Sequence, residues 1–219
     1  MLLRHLQNLL GGIYGIDVSE NVYDYLVTDQ AVVEYLAGVN SEHEIEEKLL
    51  IVQNEDSLDV ALYLDKEVLV RLSNADPRRH LHTQNLEDFW TVLEGVSHFN
   101  YLAWNASLDK PVTLMELEMQ AEVDKYVGTR VLLQEQTGGV LAHRIIEQLF
   151  EETCFYAHLS EQELERYRSA SSFASRYCYN LESRFPRDRV ASDMMQELRA
   201  FYRLPQPGKV SHIQSAQLA

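Results

Sequence analysis

Cysteine is scarce: Cys154 and Cys178 are the only two among 219 residues, too few for a disulfide framework and not spaced as a zinc knuckle. They read as buried thiols in a reducing compartment. No apolar run approaches the roughly 18 residues needed to span a bilayer. The opening, MLLRHLQNLLGGIYG, is broken by Arg4, His5, Gln7 and Asn8, which suits an amphipathic helix better than a signal peptide. A cytoplasmic chain with no membrane contact is expected. Also missing are a phosphate-binding glycine loop, a dinucleotide fingerprint and a nucleophile elbow, so nothing in the sequence names a cofactor.

Positive charge is scarce too, and unevenly placed. Residues 1–150 carry 25 Asp and Glu against 10 Lys and Arg, a net of −15, while residues 151–219 carry 9 of each. Only five of the 19 cations are lysine, and eight arginines fall between Arg166 and Arg203. An acidic body repels phosphate instead of releasing counterions, so direct nucleic-acid binding is disfavoured and a protein partner of complementary charge is expected.

What is present divides into segments. Asp29 caps DQAVVEYLAG, which Gly38 closes, and Ser41 with Glu44 forms a capping box for a short turn. LLIVQ, LDVALYL and EVLVRL, separated by NEDS and DK, read as a three-strand antiparallel meander. Leu86, Phe89, Trp90 and Leu93 mark an amphipathic helix ending near Gly95. The stretch LMELEMQAEVDKYV is ambiguous. Thr113 and Glu116 fit a helical capping box, yet Leu117, Met119, Ala121 and Val123 alternate with Glu118, Gln120, Glu122 and Asp124 as on a strand. With the aromatic HFNYLAWNA before it, the alternation favours a hairpin, 98–106 with 112–121.

The second half reads as helical. Ser160 and Glu163 cap a long helix whose stripe runs through Leu164, Tyr167, Ser171, Ala174, Cys178, Leu181 and Phe185, with Pro186 as its stop. RVASDMMQELRAFYRL makes the last helix, and 205–219 reads as a mobile tail. The expected class is therefore α+β: an acidic layer, 1–137, with an antiparallel sheet of about five strands and covering helices, followed by a helical bundle, 138–204, packed on it. The order helix, meander, helix, hairpin, together with the acidity, is similar to secretion-chaperone-like folds. The likeness concerns fold alone.

Three functions follow, in order of preference. The first is a protein-binding adaptor acting through its acidic surface and a helical face. The second is a metal-assisted hydrolase or nuclease using His98 with the row Glu116, Glu118 and Glu122, since such chemistry needs carboxylates or a metal to position water and take its proton. The row resembles the metal-nuclease hairpin pattern only loosely, because the expected lysine is missing. An acidic mimic of nucleic acid is third. Arg166, Arg168 and Arg176 are candidates to grip a phosphate or carboxylate, or to pair with the acidic half. His80 and His82 sit in a basic loop without a third ligand nearby in sequence.

Overall fold

The computed structural model describes residues 1–38, 45–53, 58–138, 145–151, 160–185 and 192–216. The Ser41–Glu44 capping box, the NEDS interruption, Cys154 and the Pro186 stop lie outside them. Helix α1 (Leu2–Tyr14) leads through a short 3-10 turn into β1 (Leu26–Val27), followed by α2 (Gln30–Ala37), β2 (Glu47–Gln53), β3 (Leu58–Leu64) and α3 (Lys66–Asn74). Then come α4 (Leu86–Ala106), α5 (Leu114–Thr137), α6 (Ile145–Phe150), α7 (Glu161–Arg184), α8 (Ser192–Tyr202) and α9 (Gln206–Ala216).

Helix dominates, and the sheet is small and mixed. Its order is β1-β3-β2, with β1 parallel and β2 antiparallel to β3, and Glu47 opposite Leu64. The five-stranded antiparallel sheet is therefore wrong, and the likeness to a chaperone fold goes with it. EVLVRL, read as a third strand of the meander, is α3: the Asp65 carboxylate accepts from Glu67 N at 2.8 Å and Val68 N at 3.2 Å, and Val68 and Leu72 bury one helical face.

The hairpin is wrong as well. Residues 98–106 continue α4, and 112–121 largely belong to α5, which begins where the Thr113 hydroxyl accepts from Glu116 N and ends at Gly138, φ 65°. Alternation misleads here for a physical reason. On a helix, Leu117, Met119, Ala121 and Val123 split into two stripes, and α5 uses both because it lies between α4 and α7 with α1 against it. Its polar residues are buried too: Glu116, Glu118, Gln120 and Asp124 all lie inside the protein.

Gly95 does not end α4. A Cβ there would stand 2.9 Å from Leu62 Cδ1 and 3.0 Å from Glu47 Cγ, so the missing side chain is what lets β2 and β3 lie against the helix. The expected capping box of Ser160 and Glu163 is present at the start of α7, with both reciprocal bonds made. Ala170, Ala174 and Cys178 are buried on that helix, whose neighbour is α5.

One hydrophobic core runs from Leu3 on α1 to Ile213 on α9, through residues on both sides of position 138. The segment read as a mobile tail is, over 206–216, the docked helix α9, and Lys209 is fully buried. No helix among the described residues is long and apolar enough to cross a membrane.

Candidate metal centre

Helical periodicity creates the site. Glu94 and His98 lie one turn apart on α4, and Glu118 and Glu122 lie one turn apart on the neighbouring α5. Glu47, at the start of β2, reaches in beside Gly95, and Lys125 comes from the next turn of α5. His98 Nδ1 is 3.4 Å from Glu47 Oε1, and His98 Nε2 is 3.6 Å from Glu118 Oε2. The Lys125 ammonium donates to Glu94 Oε2 at 2.6 Å and to Glu122 Oε1 at 2.9 Å.

Ligand-capable atoms of Glu47, Glu94 and His98 all lie within 4.8 Å of one another. Donors on one first-row cation, each about 2.0–2.2 Å from it, are separated by no more than about 4.4 Å, so a small closure brings the three onto a shared ion. An acidic group alone is common at protein surfaces. Here the group includes an imidazole only 5% exposed, whose two ring nitrogens face different carboxylates, Nδ1 toward Glu47 and Nε2 toward Glu118, both at long distances. Mixed imidazole and carboxylate donors suit first-row divalent ions.

Electrostatics favour a cation at the cluster, whether proton or metal. Four carboxylates face one ammonium and one imidazole, so even a protonated His98 leaves a surplus of two negative charges when all four are ionised. Burial pulls His98 down, but Glu118 and Glu47 more than offset it and hold the imidazole well above its usual range, so a metal must displace a proton from the ring to bind. Burial raises Glu47 against the pull of His98, and raises Glu122 against the pull of Lys125. Glu94 ends below its usual range, because Lys125 and His98 outweigh the cost of burial. The cluster is not sealed: the side chains of Glu94 and Glu122 keep 22% and 19% of their surface exposed, against 7% for His98.

Tyr167 faces the cluster from α7. Burial pushes its phenol up, and the carboxylates of Glu118, Glu94 and Glu47 push it further, so it stays a neutral hydrogen-bond donor. Arg166 lies half-buried, its guanidinium 5.3 Å from the Tyr167 ring centroid.

Of the residues singled out from sequence, His98, Glu118 and Glu122 come together, and Glu116 does not. Two residues on a helix turn about 200°, which sends Glu116 to the far side of α5, where it accepts from the Tyr101 hydroxyl at 2.5 Å. Ser97 likewise turns away, donating to Asp124 Oδ2 at 2.6 Å. Arg168 and Arg176 are exposed, and Arg176 stacks on Phe173. Among the described residues the expected pairing of these arginines with acids of the first half is not made, and Arg184 pairs with Glu197 of its own half at 3.1 Å. Instead, Arg199 and Arg203 tie the halves by donating to the carbonyls of Gly12, Ile13, Tyr14 and Gly15 at the end of α1. His80 and His82, with ring centroids 5.1 Å apart, acquire no third ligand among the described residues.

Glu47, Lys125 and Tyr167 were missed by sequence reasoning. Two i, i+4 pairs, Glu94 with His98 and Glu118 with Glu122, were the available signal, and it becomes visible once both segments are read as helices. Comparison with family models, curated proteins and solved structures finds no match, so this site stands on its own geometry.

Proposed function

We propose that the chain is a metal-assisted hydrolase that binds one divalent first-row ion between Glu47, Glu94 and His98, with Glu118 orienting the imidazole from its other ring nitrogen. The observation that carries this reading is the convergence of ligand-capable atoms of Glu47, Glu94 and His98 within 4.8 Å of one another, among carboxylates that outnumber the cations around them. A metal there supplies a Lewis acid and lowers the pKa of a water toward neutrality. The chain's own groups then have distinct tasks. Lys125 fixes the Glu94 carboxylate by its 2.6 Å bond. Glu122, outside the ligand set and on the more open side, accepts a proton. The neutral Tyr167 phenol donates a hydrogen bond to substrate.

Calorimetric titration of chelator-treated protein with Mn²⁺ and with Zn²⁺ tests the binding step. One ion per chain, a raised melting temperature and loss of both in His98→Ala are expected. Absence of heat and of thermal shift for both ions sinks the reading. Turnover of bis(4-nitrophenyl) phosphate and of 4-nitrophenyl acetate by the loaded protein, compared with Glu122→Gln, tests the hydrolytic step.

A second reading, the protein-binding adaptor, draws support from α2, where Val32, Tyr35 and Leu36 are 42%, 85% and 51% exposed beside Glu34. The nucleic-acid mimic needs an exposed lattice of acids, and Glu116, Glu118 and Asp124 are buried and cannot contribute to one.

A further inference from the structure

Across α5 from the candidate metal centre lies a second polar chamber. Lys209, on the last helix, is fully buried there. Its Nζ donates to Gln120 Oε1 at 2.5 Å and stands 4.4 Å from the ring centroid of Phe201, 5.0 Å from that of Tyr101 and 5.7 Å from that of Tyr202. Ring faces carry partial negative charge and attract a nearby cation, more so where water is excluded. Burial pulls the amine down to about 7, while the carboxylates of Glu116 and Asp124 pull it the other way.

The seat is held rigidly by groups that do not depend on Lys209. Asp124 accepts from Tyr14, from Ser97 Oγ at 2.6 Å and from Gln120 Nε2 at 2.8 Å, which orients the Gln120 amide so that its oxygen faces the chamber. Tyr202 stacks on Tyr14 at 4.0 Å and meets Tyr101 edge-on at 4.8 Å.

By contrast, α9 is thinly attached. Lys209 and Ile213 are its only buried residues among those described. Its other polar ties lie nearer the surface: His212 to Glu197 at 2.6 Å, and Gln206 to Thr113 at 2.5 Å. Beside Ile213, the partly buried Val210 and the His212 ring against Tyr177 and Phe201 add apolar contact, and Lys209 is the one fully buried anchor of this 11-residue helix among the described residues.

We propose that Tyr101, Phe201, Tyr202 and Gln120 form a binding site for a primary alkylamine, which α9 fills with its own Lys209, so that the amine seat docks the helix. Three aromatic faces supply attraction for a cationic head, and the Gln120 oxygen, which needs an N–H donor, selects a primary amine over a fully alkylated one. This inference is independent of the metal centre.

The test removes the tethered amine and offers it free. In full-length Lys209→Ala protein, n-propylamine at millimolar concentration and pH 8 is expected to restore at least about half of the lost melting temperature. Wild-type protein should not respond. Propyltrimethylammonium at the same concentration should restore nothing. No rescue of a folded Lys209→Ala protein overturns the proposal, and equal rescue by both compounds overturns the role of Gln120. Should Lys209→Ala fail to fold, Lys209→Met decides, because it fills the volume without the amine. Melting at the wild-type temperature overturns the proposal, and a marked fall supports it.

Discussion

Helix α5 carries two polar stripes, and the contrast between them separates architecture from candidate chemistry. Glu116, Gln120 and Asp124 face α1, α4 and α9, and no buried polar atom of these three lacks a partner among the described residues. Glu118, Glu122 and Lys125 face the other way, toward Glu47, Glu94 and His98. There the imidazole's two nitrogens meet carboxylates only at long range, Glu47 at 3.4 Å and Glu118 at 3.6 Å. Both stripes are rich in acid and lie on opposite sides of the same helix, offset by two residues. A finished hydrogen-bond network fixes a fold, whereas an unfinished one at a charge surplus invites a ligand.

The largest effect that bears on this contrast belongs to the finished stripe. Asp124→Leu removes the acceptor shared by Tyr14, Ser97 and Gln120, and leaving two buried hydroxyl donors unsatisfied, with the Gln120 amide keeping only its bond to Tyr14, should cost about 3–5 kcal/mol in urea unfolding. A loss under about 1 kcal/mol would mean that this stripe is no more structural than the other. Next comes Gly95→Ala. Its added Cβ meets Leu62 and Glu47, so overpacking should cost about 1–3 kcal/mol and shift Glu47, weakening Mn²⁺ binding as well. Unchanged stability together with unchanged Mn²⁺ affinity would show that β2 does not set the site.

A smaller change in stability, with a large change in binding, is expected at Glu118→Gln. Removing one of four crowded carboxylates relieves repulsion, so unfolding free energy should stay within about 1 kcal/mol of wild type while the metal-induced thermal shift falls sharply. Destabilisation comparable to that of Asp124→Leu would erase the distinction between the stripes. Smallest of all is Arg168→Ala. The side chain is exposed, and its loss should leave the melting temperature unchanged within error.

Local chemistry was legible. Asp29 and Gly38 bracket α2, Thr113 opens α5, and Ser160 with Glu163 opens α7, because a cap is satisfied by residues within a turn of itself. LLIVQ and LDVALYL were likewise readable as strands, and they pair antiparallel. His98, Glu118 and Glu122 stood out by residue type, as groups able to hold a metal or move a proton. Their convergence did not stand out, since the hairpin reading set them on a flat sheet. EVLVRL was misread because its valines and leucines suit a strand as well as a helix, and the deciding contribution came from the Asp65 cap just before it.

The sequence by itself determined where several segments start and stop, the acidity of the first 150 residues and the presence of ionisable groups at helical spacing. Only the tertiary structure decided which of those groups meet. A helix surrounded by neighbours has no wet face, so its apolar periodicity loses the single stripe that marks a partly exposed helix. The partners of its polar residues then come from far along the chain: Glu47 lies 51 positions from His98, and Lys209 lies 89 positions from Gln120. Spacing within one segment says nothing about such distant partners. Burial then raises the cost of any group they leave unmatched, and that cost separates the satisfied stripe of α5 from the one still open to a ligand.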